Sequence, residues 1–216
     1  IEPADFDFYK KVDVPPPTWC PKCRMIRRFM FRNNYYLYKR KDDFSGEMIF
    51  SMIAEDAPVK VYDLTVWQSD DWDPLVYGRD VDFSRPFLEQ LKELSREVPW
   101  RSRGVINMVN SDYCNNCSDY KNCYLCFNGN SSEDSAYVAS LLYVKSCFDC
   151  AFIENSEFCY QSFSLSNCNR CFFSTSCQDS FDILFSRNLR GCSNCFGCGN
   201  LSNKSYQIFN VQYSKE

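Results

Sequence analysis

Small side chains recur three residues apart through the second half of the chain, each pair enclosing two residues that are mostly polar or aromatic. Letting Ser stand for Cys, the pairs are Ser111/Cys114, Cys123/Cys126, Ser132/Ser135, Cys147/Cys150, Ser156/Cys159, Cys168/Cys171, Cys177/Ser180, Cys192/Cys195 and Ser202/Ser205. Their starts lie 12, 9, 15, 9, 12, 9, 15 and 10 residues apart, which taken two at a time gives 21, 24, 21 and 25. An aromatic follows six of the pairs directly: Phe127, Tyr160, Phe172, Phe181, Phe196 and Tyr206. A period of this size carried over about ninety residues is the signature of a solenoid.

Leucine is too sparse for a leucine-rich repeat, and no 3.6-residue periodicity follows Val105. Short Phe/Tyr/Ser/Cys segments broken by Asn and Ser fit the strands and corners of a parallel β-helix. The pattern predicts about four coils of 21–25 residues over 105–216. Residues three apart face opposite sides of a flat strand. Both can point inward only where the chain turns a corner between them, which the Asn-rich intervening positions permit. The thiols are then small buried hydrophobes stacked in ladders, because Ser takes their place freely and a hydroxyl is a poor substitute for thiolate on zinc. Structural zinc on some CxxC pairs and disulfides between neighbouring coils are the alternatives. Cys117 and Cys198, each three residues beyond a ladder cysteine, are expected to lie outside the ladders.

Residues 1–104 read differently, as an α+β module. "EPADFDFYKKV" predicts a short helix with Pro3 in its first turn. "DVPPPTWCPKC" reads as an extended stretch leading into a Cys20-Pro21-Lys22-Cys23 zinc knuckle. "NNYYLYKRKDDFSGEMIFSMI" predicts a hairpin turning at Ser45-Gly46, and "PVKVYD" a third strand. "DFSRPFLEQLKELSREVPW" predicts a helix capped by Ser84, with Phe87, Leu88, Leu91 and Leu94 on one face and Pro99 beyond its end. These are the parts of a zinc-ribbon or treble-clef-like module. Only Cys20 and Cys23 precede residue 110 as thiol ligands, so Asp63 or Asp42 is the candidate to complete a zinc site.

Several stretches, among them "VDVPPPTWCPKCRMIRRFMFRN", "SDDWDPLVYGRDVDFSRPF", "NCYLCF" and "CFGCGNLSNKSYQIFN", make the chain resemble an uncharacterised cysteine-rich zinc-ribbon family of small-genome bacteria. The resemblance covers nearly the whole chain and implies an intracellular, cytoplasmic bacterial protein. Some members of that family keep more cysteines in the N-terminal module, and the family supplies no activity to carry over.

The chain has no histidine, which removes the commonest general base and every Ser-His or Cys-His nucleophile arrangement. No apolar run approaches the roughly 20 residues of a membrane span, and no signal peptide is visible. A start at Ile1 without methionine and an abrupt end in "VQYSKE" read as a piece of a longer protein.

The net charge of −4 is unevenly spread. Lys22, Arg24, Arg27, Arg28, Arg32, Lys39, Arg40 and Lys41 fall within twenty residues without an acidic one, interleaved with Phe29, Phe31, Tyr35, Tyr36 and Tyr38. Basic groups neutralise phosphates and aromatics stack bases, so the stretch is a candidate RNA or single-strand surface. The competing reading is an internal match to the acidic stretch Glu55–Asp82. Asp70, Asp71, Asp73, Asp80 and Asp82 form a candidate Mg²⁺ site for an enzyme; such runs are more often polar loops capping helices. The solenoid flank offers Asn, Ser and exposed aromatics as a binding platform, with only scattered carboxylates.

The sequence therefore points to a binding or scaffold protein rather than an enzyme. RNA leads as partner, and a protein partner or a second copy docking through the solenoid comes next. A Mg²⁺-dependent enzyme and a purely structural, self-assembling solenoid are the rivals.

Overall fold

The computed structural model describes residues 2–216, apart from the side chain of Asp5. From Asn116 to Phe209 every third residue has a positive φ, between 45° and 64°. As far as Cys198 the residue after it points inward and most of the next ones face outward, while Lys204 and Asn210 after the last corners are exposed. Every third residue from Ser111 to Cys198 thus points inward, with Gly129 only partly covered. A left-handed residue turns the chain sharply, so the two small residues of each sequence pair from Ser111/Cys114 to Cys192/Cys195 sit on adjacent sides of one coil, whereas Ser202 and Ser205 fall off this register and Ser202 is exposed. L-residues pay roughly 1–2 kcal/mol to adopt this conformation, and Asn and Asp pay least. Asn107, Asn116, Asp119, Asn122, Asn128, Asp134, Asn155, Asn167, Asp179 and Asn188 occupy such corners.

Every parallel pairing between strands of the solenoid is offset by twelve residues, as in Val105 with Cys117, Phe127 with Ala139, Val138 with Cys150 and Ile183 with Cys195. Twelve residues in steps of three make a four-sided coil, and the chain completes about nine of them. This replaces the expected four coils of 21–25 residues, because the longer period is two irregular sampling intervals of a three-residue repeat.

A side of three residues is at most about 10 Å long, so the interior is narrow. One column carries the bulk: Val105, Cys117, Gly129, Leu141, Ile153, Leu165, Cys177, Leu189 and Leu201. The other three are mostly Ser and Cys. Cys117 and Cys198 are buried within these columns, which corrects the expectation that they lie outside them. Their three-residue offset from a ladder cysteine is one side of the coil.

The N-terminal expectations hold in part. In the first of two compact units, ending at Asn33, the predicted helix is present as α1 (Pro3–Lys11). The CPKC segment begins a second helix, α2 (Pro21–Phe29), instead of a knuckle between strands.

The second unit runs from Asn34 to Glu216. The predicted hairpin pairs β1 (Tyr38–Lys41) with β2 (Met48–Ser51) around Gly46, whose φ is +80°. The third strand exists as β3 (Val61–Tyr62), but it pairs in parallel with β4 (Trp100–Arg101) instead of extending the hairpin. After a single turn α3 (Leu64–Trp67), the predicted amphipathic helix forms as α4 (Phe87–Glu97). Its N-cap is Pro86 without a side-chain bond, while Ser84 binds Asp82.

This segment meets the first coils. Phe50 lies 4.4 Å from Tyr113, Tyr35 lies 5.7 Å from Phe127, and Asn115 Nδ2 donates to Asn34 O at 3.4 Å. At the other end Ser205–Ile208 pairs antiparallel with Val211–Gln212, which blunts the open strand edge.

Candidate binding surfaces and the buried thiols

Thirteen cysteines are free and buried, and only Cys20 and Cys23 are exposed. The buried seats have two polar duties. Ser156 Oγ donates to Glu154 O at 2.7 Å and accepts from Cys168 N at 3.0 Å. Ser132, Ser135, Ser162, Ser174, Ser180 and Ser186 repeat the arrangement one coil apart. A thiol does the same: Cys147 Sγ donates to Lys145 O at 3.3 Å and accepts from Cys159 N at 3.4 Å. This is why Ser and Cys exchange along the chain. Both are small, and both satisfy an otherwise buried amide.

Burial pushes the Cys150 thiol up to about 12 and that of Cys177 to about 11. Cys147 is raised first by its hydrogen bond with Cys159 and then by burial. These three thiols stay protonated and are poor ligands, whereas hydrogen bonds from Cys117 and Cys126 pull Cys114 down and those from Cys147 and Cys171 pull Cys159 down. No group of three or more Cys, Asp or Glu side chains suited to a metal occurs among the described residues.

The proposed zinc partners have other tasks. Asp63 caps α3, accepting from Thr65 N at 3.0 Å. Asp42 is buried in the hairpin turn, accepting from Ser45 N at 2.9 Å, Ser45 Oγ at 2.6 Å and Asp63 N at 3.0 Å. Burial pushes the Asp42 carboxyl up, but the bonds from Ser45 and from the Asp63 and Phe44 amides outweigh it and hold it below the usual value.

The basic stretch divides between the units. Arg24, Arg27 and Arg28 lie on α2 with Lys22; Arg27 sits 5.3 Å over the Trp19 ring, and Arg24 Nη1 reaches Tyr9 Oη at 3.5 Å. Arg32 follows the helix. Lys39, Arg40 and Lys41 form β1. Arg40 is only 4% exposed; it pairs with Asp43 at 2.9 Å and donates to Ala54 O at 3.0 Å. It is therefore a structural residue of the hairpin. Its partner lies outside the acidic stretch, and Lys39 and Lys41 make no ion pair with residues 55–82 among the described residues.

The carboxylates of 70–82 serve local turns. Asp71 accepts from Ser69 Oγ at 2.9 Å, Asp73 caps a 3₁₀ turn at Leu75 N, and Asp82 accepts from Ser84 N. Of these three only Asp73 caps a helical turn, while α4 begins at Pro86 without a side-chain cap.

The solenoid flank carries the most regular surface. Rings at the corner and at the strand position before it form a row along one edge. Tyr113, Tyr124 and Tyr137 stand 5.1 and 5.7 Å apart. In the next coil Phe148, exposed and paired with Tyr160, holds the position before the corner, and Tyr160, Phe173, Phe185, Phe196 and Phe209 follow at 5.5, 4.7, 5.7 and 6.0 Å. All are at least 36% exposed. The twelve-residue step from Phe173 to Phe185 and on to Gly197 and Phe209 is visible in the sequence once the coil length is known. A neighbouring face holds a shallow trough of about 650 Å³ beside Phe152 and Ser164, in which Glu154 is the single charged residue. That is one carboxylate short of the pair glycoside hydrolysis requires.

These features define a narrow, four-sided parallel β-solenoid with a thiol and hydroxyl core. Compared with known protein families and with curated proteins, the chain matches none. No helix among the described residues is long and apolar enough to cross a membrane.

Proposed function

We propose that the chain is a binding or scaffold protein whose recognition surface is the aromatic edge of the solenoid. The observation that carries this is the row from Tyr113 to Phe209. Large rings stay at the surface, coil after coil, although Asn and Ser serve equally well at the other corners. Exposed apolar rows of this extent mark interaction sites, and rings in series suit an extended partner lying along the rod. Within the solenoid no paired carboxylates face each other across the trough, and Asp71, Asp73 and Asp82 are engaged by their own turns. Both points favour binding over catalysis by these groups. The antiparallel Val211–Gln212 strand disfavours growth by end-to-end stacking, so the rival of a self-assembling rod needs a lateral contact.

RNA is the leading partner on this reading. The edge of rings supplies stacking for unpaired bases; independently, Lys22, Arg24, Arg27 and Arg28 on α2 of the first unit, a helix without acidic residues, offer phosphate neutralisation. The test is affinity electrophoresis of the full chain with a single-stranded RNA oligonucleotide. A Phe173→Ser/Phe185→Ser variant should keep its melting temperature and lose binding. Equal binding by both proteins would remove the edge from the interface.

A further inference from the structure

We propose that Cys20 and Cys23 form a thiol–disulfide exchange site that takes low-molecular-weight disulfides of the glutathione class. Two observations set this pair apart from the other thirteen cysteines. Both thiols are exposed, whereas every solenoid thiol is buried. They also stand one helical turn apart at the start of a nine-residue helix, with Cys20 as its N-cap and Pro21 opening the first turn. Cys23 N donates to Cys20 Sγ at 3.3 Å.

The two sulfurs are not equivalent. Hydrogen bonds from the Cys23 amide and thiol, with a smaller one from the Lys22 amide and the nearby Arg24 charge, favour a negative Cys20 sulfur and lower its pKa. The neighbouring Cys20 sulfur, and to a lesser degree desolvation, push the Cys23 thiol up instead. A helix start that favours the anion at the first thiol and the neutral form at the second separates attacking from resolving sulfur. As a metal site the pair falls short, since closed zinc sites take four ligands.

The exchange balances without another reagent. The Cys20 thiolate attacks one sulfur of the disulfide RS–SR, the S–S bond breaks, and RS⁻ leaves and takes a proton from solvent. Cys23 then loses its proton and attacks Cys20 Sγ, expelling the second RS⁻. The dithiol gives up two electrons to become the Cys20–Cys23 disulfide, and RS–SR becomes two RSH.

The test mixes the reduced 216-residue chain with oxidised glutathione, quenches with acid and follows the adducts by mass spectrometry. The wild type should form one internal disulfide, mapped to Cys20 and Cys23, while the buried thiols stay reduced. Cys23→Ser should stop at one stable glutathione adduct on Cys20. Cys20→Ser should react about tenfold slower or less, since the remaining thiol is not activated. The rate for Cys23→Ser should rise with pH around a midpoint below the ordinary thiol value of about 8.5. Both variants carry surface changes, and unchanged circular dichroism checks their fold. Equal rates for the two single variants, absence of the internal disulfide, or one zinc ion per chain that survives dialysis and shields both thiols would overturn the proposal.

Discussion

Tyr120 and Gly129 share one space in the second and third coils. The Tyr120 ring crosses the interior, and its hydroxyl lies where a β carbon on residue 129 would be; the Leu141 carbonyl closes the same point from the next coil. Gly129 belongs to the column that elsewhere holds Leu141, Ile153, Leu165 and Leu189, and its missing side chain is replaced by the tyrosine from another side of the coil. The Tyr120 hydroxyl has no hydrogen-bond partner among the described residues.

Gly129→Ala should therefore be strongly destabilising, by about 1–3 kcal/mol or more as overpacking. Tyr120→Ser should not rescue it, because the Leu141 backbone remains in place. Tyr120→Phe should be neutral or stabilising by about 1 kcal/mol, since it removes an unsatisfied buried hydroxyl. Urea unfolding of the four proteins decides it. Rescue of G129A by Tyr120→Ser would mean that the Leu141 carbonyl can yield.

The ladder seats make a second set of expectations. Ser156→Cys should be nearly silent, because a thiol can both donate to Glu154 O and accept from Cys168 N. Ser156→Ala leaves that amide unpaired and should cost about 1–3 kcal/mol. Cys150→Leu should be worse than Cys150→Ser, since a coil about 10 Å on a side has no room for extra methylenes. The ranking can be read from melting temperatures of reduced protein in the presence of a chelator. Chelator should leave the wild-type circular dichroism unchanged, and unfolding with release of zinc would instead make the thiols ligands.

These results also explain what the sequence made legible. Inward small residues at Cys168 and Cys171, with a corner between them, follow from spacing alone, and that identified a solenoid. The coil length did not follow, because Ser and Cys seats such as Cys117, Ser162 and Ser174 fall between the quoted pairs, and three of the four sides of the coil use the same small residues. Spacings of 12, 9 and 15 are all multiples of three, which is the clue to the repeat. The N-terminal part was legible where turn chemistry is local, as at Gly46 in the hairpin. It was not where pairing is distant: β3 finds β4 nearly forty residues later. The cysteines of the CPKC stretch look the same in a knuckle and at a helix start, and only backbone geometry separates the two.

Asp42 should make the hairpin acid-sensitive. Its pKa in the folded state lies below the unfolded value of about 3.9. The stabilisation is therefore complete above about pH 4 and is lost as the pH falls through the folded value. Asp42→Asn should be less stable at pH 7, because the amide cannot accept all three bonds, and the gap to wild type should narrow as the pH drops below 4. Thermal melts at several pH values check this. A gap that is constant with pH would mean that the Asp42 charge contributes nothing.

Arg28 and Arg40 test which part of the basic stretch contacts a partner. Arg40 is buried, bonded to Asp43 and Ala54, so Arg40→Ala should lower the melting temperature whatever the chain binds. The cost should be about 1–3 kcal/mol for the partners left unpaired. Arg28, on α2, has no such role, and Arg28→Ala should leave the melt almost untouched. If α2 neutralises phosphates, single-stranded RNA affinity should fall steeply with salt, by about 0.7 of a logarithmic unit per contact for each tenfold rise. Arg28→Ala should then weaken binding and reduce that slope by about one contact. The measurement is a salt series of titrations on wild type and both variants, beside their melts. Arg40→Ala should change the melt without changing the slope. Wild type that shows no salt-dependent RNA binding at low ionic strength would leave the aromatic edge to a neutral partner.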